Sequence, residues 1–177
     1  RCFESDKITH VNSKINPVED LETIKTEIIL SDIDIIHKKL EKGKKKVLNE
    51  KEIKILKEKL IQLNEGNNIK VNDEKEDKFL SSLGLLSIKP KIIVCNIDDK
   101  NLSKGNSFTR NIESNYSDEK IVTICADIED QIMGLDNKER EAFMKEIGLN
   151  KTGLNQLIKE GYDLLNLNTF FTSGPEE

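Results

Sequence analysis

Two short apolar runs place the strongest constraint on how this chain can fold. Ile92–Cys95 and Ile121–Cys125 consist mainly of isoleucine and valine, and such runs are typical of strands buried on both faces. A stretch with helical spacing, about residues 107–116, separates them. Because a crossover helix makes the strands on either side of it parallel, the sequence predicts a β-α-β unit.

Both predicted strands end in polar or small residues. The first belongs to the stretch Lys91–Asp99 and ends in Asn-Ile-Asp-Asp, and the second is followed by Ala126 and Asp127. The carboxyl ends of parallel strands meet at one sheet edge, where open α/β sheets bind ligands. An amide that donates and accepts, followed by a carboxylate that only accepts, could read the edge of a heterocycle. The alternative is a strand that simply ends in a polar turn, since short motifs often match by chance.

A long helical hairpin is predicted ahead of the first strand. Asn16-Pro17-Val18-Glu19 has the form of a helix start, and the apolar spacing after it predicts a helix over residues 17–41. A second helix is predicted over residues 47–64, with apolar residues at steps of 3, 4 and 3. Two helices joined by a short polar link indicate an antiparallel hairpin with a coiled-coil-like seam, whose second half contains Ile53, Leu56, Leu60 and Leu63.

A basic cluster lies at the predicted tip of this hairpin, at Lys42, Lys44, Lys45 and Lys46. These lysines could contact the phosphates of RNA. Charge runs are more often solvated surface, and the sequence leaves both interpretations open.

The remaining segments are mainly helical. Helices are predicted over residues 73–83, 136–148 and 152–165, with a short helical turn over 128–133 and an extended segment at 169–175. The predicted fold class is therefore α/β, with parallel strands and a mostly helical chain.

Composition excludes several function classes. A net charge of −5 argues against non-specific nucleic-acid binding by the whole chain. Cys2, Cys95 and Cys125 are too widely spaced for a disulfide framework or a zinc site, and His10 and His37 do not complete one. We expect a loop or structural role for His10, no metal ligands, and a cytoplasmic protein with no membrane contact, because neither a signal peptide nor a long apolar run is present.

The chain resembles the Obg-related, YchF-type ATPase family of P-loop NTPases, and the resemblance covers nearly all of it in order. The final Thr-Phe-Phe-Thr-Ser-Gly-Pro is the most specific piece. The matching segments are 1–4 (Arg-Cys-Phe-Glu), 8–11 (Ile-Thr-His-Val), 16–20 (Asn-Pro-Val-Glu-Asp), 82–90 (Ser-Leu-Gly-Leu-Leu-Ser-Ile-Lys-Pro), 96–99 (Asn-Ile-Asp-Asp), 126–129 (Ala-Asp-Ile-Glu), 153–158 (Gly-Leu-Asn-Gln-Leu-Ile) and 167–175 (Leu-Asn-Thr-Phe-Phe-Thr-Ser-Gly-Pro).

The resemblance implies a domain organisation. It implies part of a P-loop NTPase G domain, interrupted by the antiparallel helical hairpin. Residues 1–16 and 85–166 would belong to the G domain, residues 17–84 to the hairpin, and residues 167–177 to the beginning of a TGS domain. On this resemblance we expect the chain to be part of a longer protein.

The resemblance also implies function and site residues. It implies ATP binding and hydrolysis, and association with the ribosome through surfaces of both subunits. Asn96 would orient the base, Ile97 would lie against it through backbone and side chain, and Asp99 would face its edge. Cys125 and Ala126 would form the second wall of the base pocket.

Two of these positions depart from the family pattern. Asp99 stands where the family usually has Glu, which restores half of the guanine motif Asn-Lys-x-Asp, yet Ile97 is not Lys. The choice between ATP and GTP therefore stays open, with ATP favoured by resemblance. Cys125 stands in place of Ser, which keeps the volume small but gives up a good hydroxyl.

No phosphate-binding motif occurs in the sequence. Gly-x-x-x-x-Gly-Lys-Ser/Thr and the Asp-x-x-Gly switch are both absent, and these parts hold the phosphates and Mg²⁺ in such enzymes. The resemblance implies that they precede this segment, so Mg²⁺ ligands would lie outside the chain. We expect no catalytic residues here and no hydrolysis by the chain alone. The alternative function is a non-catalytic helical-hairpin module that contacts RNA or a protein partner.

Overall fold

The computed structural model describes residues 1–6, 8–9, 14–43 and 48–173. Helices predominate in this part of the chain, and the secondary structure follows the order that the sequence predicts. The elements are α1 (Pro17–Gly43), α2 (Glu50–Asn64), α3 (Glu74–Ser82), β1 (Ile92–Asn96), α4 (Ser107–Asn115), β2 (Lys120–Ile124), α5 (Ala126–Met133), α6 (Asn137–Glu146) and α7 (Gly153–Leu164), with a short 3₁₀ turn at Asp99–Asn101.

The predicted β-α-β unit is confirmed. β1 and β2 pair in parallel, in a register that runs from Ile92 opposite Lys120 to Asn96 opposite Ile124. The chain crosses between them through α4, so the carboxyl ends of both strands lie at one edge of the sheet. The mixed α/β class, mostly helical with a small parallel sheet, is the one that the sequence predicts.

The prediction that the first strand is buried on both faces is wrong for β1. Ile93 and Cys95 are buried, whereas Val94 is 41% exposed. Side chains alternate between the two faces of a strand, so one face of β1 is covered within the described chain and the other lies partly open. An apolar run shows that burial is favourable, but it does not say which atoms provide the cover.

The chain divides into two compact units. The first consists of Arg1–Val18 and Pro90–Glu177, and the second of Glu19–Lys89. In the first unit, buried side chains come from the sheet and from the helices around it. They include Cys95, Ile97, Ile112, Val122, Ile128 and Ile132.

The second unit has a core of its own, built from α1, α2, α3 and the segments after α2 and α3. Leu56 and Leu63, two of the predicted seam residues, are buried, and Leu60 packs against the same core. The core residues are Ile36, Leu56, Leu63, Ile69, Leu80 and Leu85.

Three charged side chains are also buried among the described residues of the second unit, those of Asp32, Lys59 and Glu76. The Asp32 carboxylate accepts hydrogen bonds from the backbone N–H groups of Leu86 and Ser87, both at 2.8 Å. The Lys59 ammonium lies 2.6 Å from Glu76 Oε1 and 3.1 Å from Glu58 Oε1. These contacts satisfy the buried charges, because each has partners of opposite charge or polarity.

Local capping explains several of the element boundaries. Asp136 and Glu139 form the predicted capping box at the start of α6, and Gly84 has the positive φ of 75° expected just after α3. α5 begins at Ala126, two residues before the predicted helical turn. α2 begins at Glu50, where Asn49 and Glu52 form a capping box.

No described helix is long and apolar enough to cross a membrane.

Candidate functional site

Asn96 joins the two strand ends that the sequence places together. It is the last residue of β1, and its Oδ1 accepts a hydrogen bond from the backbone N–H of Ala126 at 3.0 Å. The Ile97 N–H donates to the Ile124 carbonyl at 2.9 Å. The end of β1 is therefore tied to the end of β2 by one side-chain bond and one backbone bond.

Ile97 and Asp99 lie in different surroundings. The Ile97 side chain is 2% exposed and belongs to the core of the first unit. Asp99 is exposed at the start of the 3₁₀ turn, and its Oδ1 accepts from the backbone N–H of Lys100 at 2.9 Å. Asp98 Oδ1 accepts from the Asn101 side-chain amide. Only Asp99 of the two predicted loop residues therefore offers its side chain to solvent.

Cys125 and Ala126 lie at the start of α5. Cys125 is the residue that precedes the helix, and its side chain is buried, whereas Ala126 is exposed. Burial raises the pKa of the Cys125 thiol, and the N–H groups of Ile128 and Asp127 oppose this only in part. Cys125 is therefore a neutral thiol at neutral pH, suited to a small apolar wall and not to metal binding or nucleophilic attack.

Asn106 fixes the far end of the loop that follows β1, and the sequence analysis did not assign it a role. Its side-chain Nδ2 donates to the Cys2 carbonyl at 2.6 Å, while its Oδ1 caps α4 by accepting from the Thr109 N–H at 3.0 Å. The Cys2 N–H in turn donates to the Asn96 carbonyl at 2.8 Å. The sequence signal for this role is a glycine followed by an asparagine just before a helix.

Gly105 allows the Thr109 hydroxyl to lie close to the backbone just before α4. Its φ is 61°, and a Cβ at this position would lie 2.8 Å from the Thr109 hydroxyl. A side chain is therefore disfavoured here both by backbone conformation and by contact with the residue that completes the cap of α4.

A second residue that the sequence analysis missed is Glu129, on α5. Its Oε1 accepts from the Gly153 N–H, the first residue of α7, at 2.6 Å. Thr152 caps the same helix by accepting from the Asn155 N–H at 3.1 Å. The start of α7 is thus held both by its own cap and by a carboxylate from α5.

Neither a metal site nor the basic hairpin tip can be built from the described residues. No group of three or more His, Cys, Asp or Glu side chains that could hold a metal ion occurs among them. His10, Lys44, Lys45 and Lys46 lie outside the described residues, and so does the side chain of Lys42. The predicted roles of these five residues stay predictions.

Comparison with known proteins identifies relatives along the whole chain. The "Ribosome-binding ATPase YchF" of Escherichia coli O157:H7 is 34% identical over 186 residues, which is 100% of this chain and 51% of the relative. The protein of the same name from Bacillus subtilis strain 168 is 33% identical over 189 residues. The one from Mycoplasma genitalium is 37% identical over 189 residues, covering 52% of its length.

A solved structure shares the fold. The Schizosaccharomyces pombe YchF GTPase superposes with a TM-score of 0.81 at 24% identity, over 98% of this chain and 50% of that one. No protein-family model matches. The chain spans about half the length of the curated relatives it matches. From end to end, the chain is therefore similar to about half of a YchF-type, or Obg-like, protein.

Proposed function

We propose that the chain carries the base-recognition part of a ribosome-associated, nucleotide-binding protein that hydrolyses ATP, with GTP as the alternative nucleotide. The observation that carries the proposal is the hydrogen bond from the Ala126 N–H to Asn96 Oδ1 at 3.0 Å. It joins the two loops that would enclose a purine base, at the carboxyl edge of a parallel sheet.

Each residue of the proposed pocket has a role that its environment supports. Asn96 orders both loops. Asp99 is exposed and provides a carboxylate acceptor for the donors on the base edge. Ile97, which is buried, lies against one face of the base and contacts it through its backbone. Cys125 and the small, exposed Ala126 form the opposite wall.

The phosphates require parts that this chain does not contain. Its sequence has no Gly-x-x-x-x-Gly-Lys-Ser/Thr motif, so the residues that would hold the phosphates and Mg²⁺ belong to the rest of the whole protein. We propose that the whole protein is an ATPase and that the 177-residue chain alone is inactive. Much of the affinity for a nucleotide comes from its phosphates, so the pocket by itself binds too weakly to detect by melting.

Thermal melting tests this division of roles. The chain alone is expected to melt at the same temperature with and without millimolar ATP. A chimera in which the phosphate-binding segment of a relative is joined ahead of Arg1 is expected to melt at a higher temperature with ATP, because ligands stabilise the state that binds them. A clear ATP-dependent rise for the chain alone contradicts the proposal, and so does a chimera that folds but does not respond.

Variants of that chimera locate the base pocket. Asn96→Ala removes the bond between the loops and is expected to weaken nucleotide binding by about tenfold, the loss that corresponds to one hydrogen bond of about 1.4 kcal/mol. Asn67→Ala changes an exposed asparagine of the second unit and is the matched control. Equal binding by both variants would place the base elsewhere.

Association with the ribosome is proposed from the relatives, which carry the name "Ribosome-binding ATPase YchF". The measurement is co-sedimentation of the chain with purified ribosomes and with separate subunits in sucrose gradients. Binding to neither subunit, at low and at physiological salt, would restrict this part of the proposal to the other half of the protein.

A second candidate function is a helical-hairpin module that binds RNA or a protein. The observation in its favour is that residues 19–89 form a compact unit with their own core. The test is the triple variant Lys44→Glu, Lys45→Glu, Lys46→Glu, compared with wild type for binding to ribosomal RNA at several salt concentrations. RNA binding that falls in the variant, with a shallower salt dependence, supports this candidate, and unchanged binding leaves the lysines as solvated surface.

A further inference from the structure

A short hydrogen bond connects the proposed base pocket to the last described helix. Glu129 Oε1 accepts from the Gly153 N–H at 2.6 Å. Glu129 lies on α5, three residues after Ala126 and therefore on nearly the same side of the helix. Gly153 is the first residue of α7, a helix of 12 residues. A carboxylate at the N-terminus of a helix is favoured by the helix dipole as well as by the hydrogen bond.

The absence of a side chain at position 153 makes this contact possible. A Cβ built there would lie 2.8 Å from Ile124 Cγ2 and 3.1 Å from Glu129 Oε1. Side-chain carbons do not approach that closely, so any other residue would push α7 away from β2 and α5. Gly153 is required here for space.

The six-residue stretch Ile124–Glu129 makes the contacts that shape the proposed pocket. The Ile124 carbonyl accepts from the Ile97 N–H at 2.9 Å, and the Ala126 N–H donates to Asn96 Oδ1 at 3.0 Å. Ile124 and Glu129 also contact the start of α7. The second wall of the pocket, Cys125–Ala126, is therefore held from one side by β1 and from the other by α7.

We propose that Glu129 is a positioning residue for this wall, and that it couples the place of α7 to the geometry of the base pocket. The proposal rests on the proposed function of the pocket. Glu129 does not touch the base in this account. It fixes the first turn of α5, and with it the direction of the Ala126 N–H towards Asn96. A displacement of the start of α7 would then release Ala126 from Asn96 and open the wall.

The competing account is that Glu129 only stabilises the fold. The two accounts differ in where an effect is seen, because a general loss of stability raises the exchange of all slowly opening amides together. A positioning role changes Ala126 and its neighbours and leaves distant amides unchanged. It also requires only an acceptor oxygen, which glutamine retains.

The test is amide hydrogen exchange of the 177-residue chain, followed residue by residue by NMR. Glu129→Ala is expected to speed exchange of the Ala126 N–H by about tenfold, the effect of losing one hydrogen bond of ordinary strength. Glu129→Gln is expected to stay within about twofold of wild type, since it keeps the acceptor. Glu141→Ala and Glu141→Gln, at an exposed glutamate on α6, are the matched controls.

The Tyr116 N–H, which donates to the Ile112 carbonyl at 2.9 Å, reports on general stability in the same spectra. Its exchange is expected to be the same in all variants. A cavity of about 330 Å³ lined in part by Ile124, Glu129 and Gly153 gives water room to replace the truncated side chain, so we expect the alanine variant to fold. Gly153→Ala is expected to reproduce the effect of Glu129→Ala on Ala126.

Two results would overturn the proposal: equal acceleration of Ala126 and Tyr116 in Glu129→Ala, or equal behaviour of the alanine and glutamine variants. A separate measurement shows whether the proposed base pocket itself is wrong. In the ATP-responsive chimera, nucleotide that shifts no resonance of residues 96–99 or 125–126 contradicts the pocket, while the exchange pattern of the Glu129 variants still decides whether α5 is held on α7.

Discussion

At the scale of single residues, the proposed base pocket predicts a role for Asp99 in the choice between ATP and GTP. Its carboxylate is exposed at the sheet edge, and in the proposed pocket it would accept from two neighbouring donors of guanine but from only the amino group of adenine. In the chimera that supplies a phosphate-binding segment, Asp99→Asn is therefore expected to weaken GTP binding by about tenfold or more, the cost of one charge-assisted hydrogen bond. ATP binding is expected to change less.

Titration of the chimera with both nucleotides measures this difference. Asp98→Asn, at the neighbouring residue whose carboxylate bonds to Asn101, serves as the control. An equal loss for ATP and GTP in Asp99→Asn would show that Asp99 does not face the base edge.

The three thiols are expected to be unreactive in the folded chain. Cys2, Cys95 and Cys125 are all buried. The hydrogen bond with Cys2, followed by burial, raises the pKa of Cys95 far above its usual range, and burial raises the pKa of Cys125. A raised pKa leaves less thiolate at any given pH, and the thiolate is the reactive form.

Reaction with a thiol reagent at pH 8 is expected to be slower in the native chain than in denaturant, on the order of 100-fold, because it requires local opening. Colour formed over time by an aromatic disulfide reagent measures it. Fast reaction of one thiol equivalent in the native chain would show that a cysteine is accessible.

Asp32 is expected to be the most sensitive acidic residue of the second unit. Its two carboxylate oxygens accept from the Leu86 and Ser87 N–H groups, and its side chain is fully buried. Asp32→Ala is expected to lower the free energy of unfolding by about 2–5 kcal/mol, since it leaves two backbone donors without an acceptor.

Urea denaturation provides the measurement, and Asp34→Asn provides the control. Asp34 pairs with Lys38 at 2.7 Å on the exposed side of α1, where such pairs contribute little to stability. Similar losses for Asp32→Ala and Asp34→Asn would contradict the structural role of Asp32.

At the scale of the elements, Lys59 connects α2 to α3 and to the segment between them. Its ammonium bonds to Glu76 at 2.6 Å and to the Lys70 carbonyl at 2.6 Å. Burial alone would lower the pKa of Lys59, but hydrogen bonds and charges from Glu76 and Glu58 outweigh burial and raise it. Because the pKa of Lys59 is raised in the folded state, the charged Lys59 contributes its full stabilisation below the ordinary lysine pKa of 10.5. That stabilisation is lost as the pH rises through the raised pKa of the folded state.

Lys59→Met tests this sign. At pH 8 the variant is expected to be less stable than wild type by about 3–5 kcal/mol, because Glu76 is left buried without its cation. The difference is expected to shrink above the ordinary pKa of lysine. Urea unfolding at a series of pH values measures the stability of wild type and of Lys59→Met, and Lys54→Met, at an exposed lysine of α2, is the control. A stability difference that grows with pH would contradict the stabilising role of the Lys59–Glu76 pair.

The sequence predicts the elements well and their surroundings less well. Apolar spacing and caps predict α1, α6 and the parallel pair, because these signals act within a few residues. The exposure of Val94 and the bonds of Asn106 to Cys2 and of Glu129 to Gly153 are set by residues distant in the chain. A single sequence carries no local signal for such pairs, which is why Asn96 and Ala126 were expected at one sheet edge and Asn106 and Glu129 were not assigned.

At the scale of the whole molecule, the described residues form two cores. One is formed by residues of the small parallel sheet and its helices, including Val122, which is fully buried. The other is formed within residues 19–89, including Leu80. A sheet of two strands is small for independent stability, whereas a core shared by three helices can be stable by itself. The two units are therefore expected to differ in stability and to respond separately to substitutions in their cores.

Leu80→Ala and Val122→Ala test this separation. Each removes a fully buried apolar side chain. The expected loss is about 2–5 kcal/mol for Leu80→Ala and somewhat less for Val122→Ala, because leucine fills more of the core. If the units open independently, Leu80→Ala speeds amide exchange at Leu56 and Leu63 and leaves Tyr116 unchanged, and Val122→Ala does the reverse. Exchange measured on the 177-residue chain by NMR decides the matter, since acceleration of all these amides by either variant would mean that the chain opens as one cooperative unit.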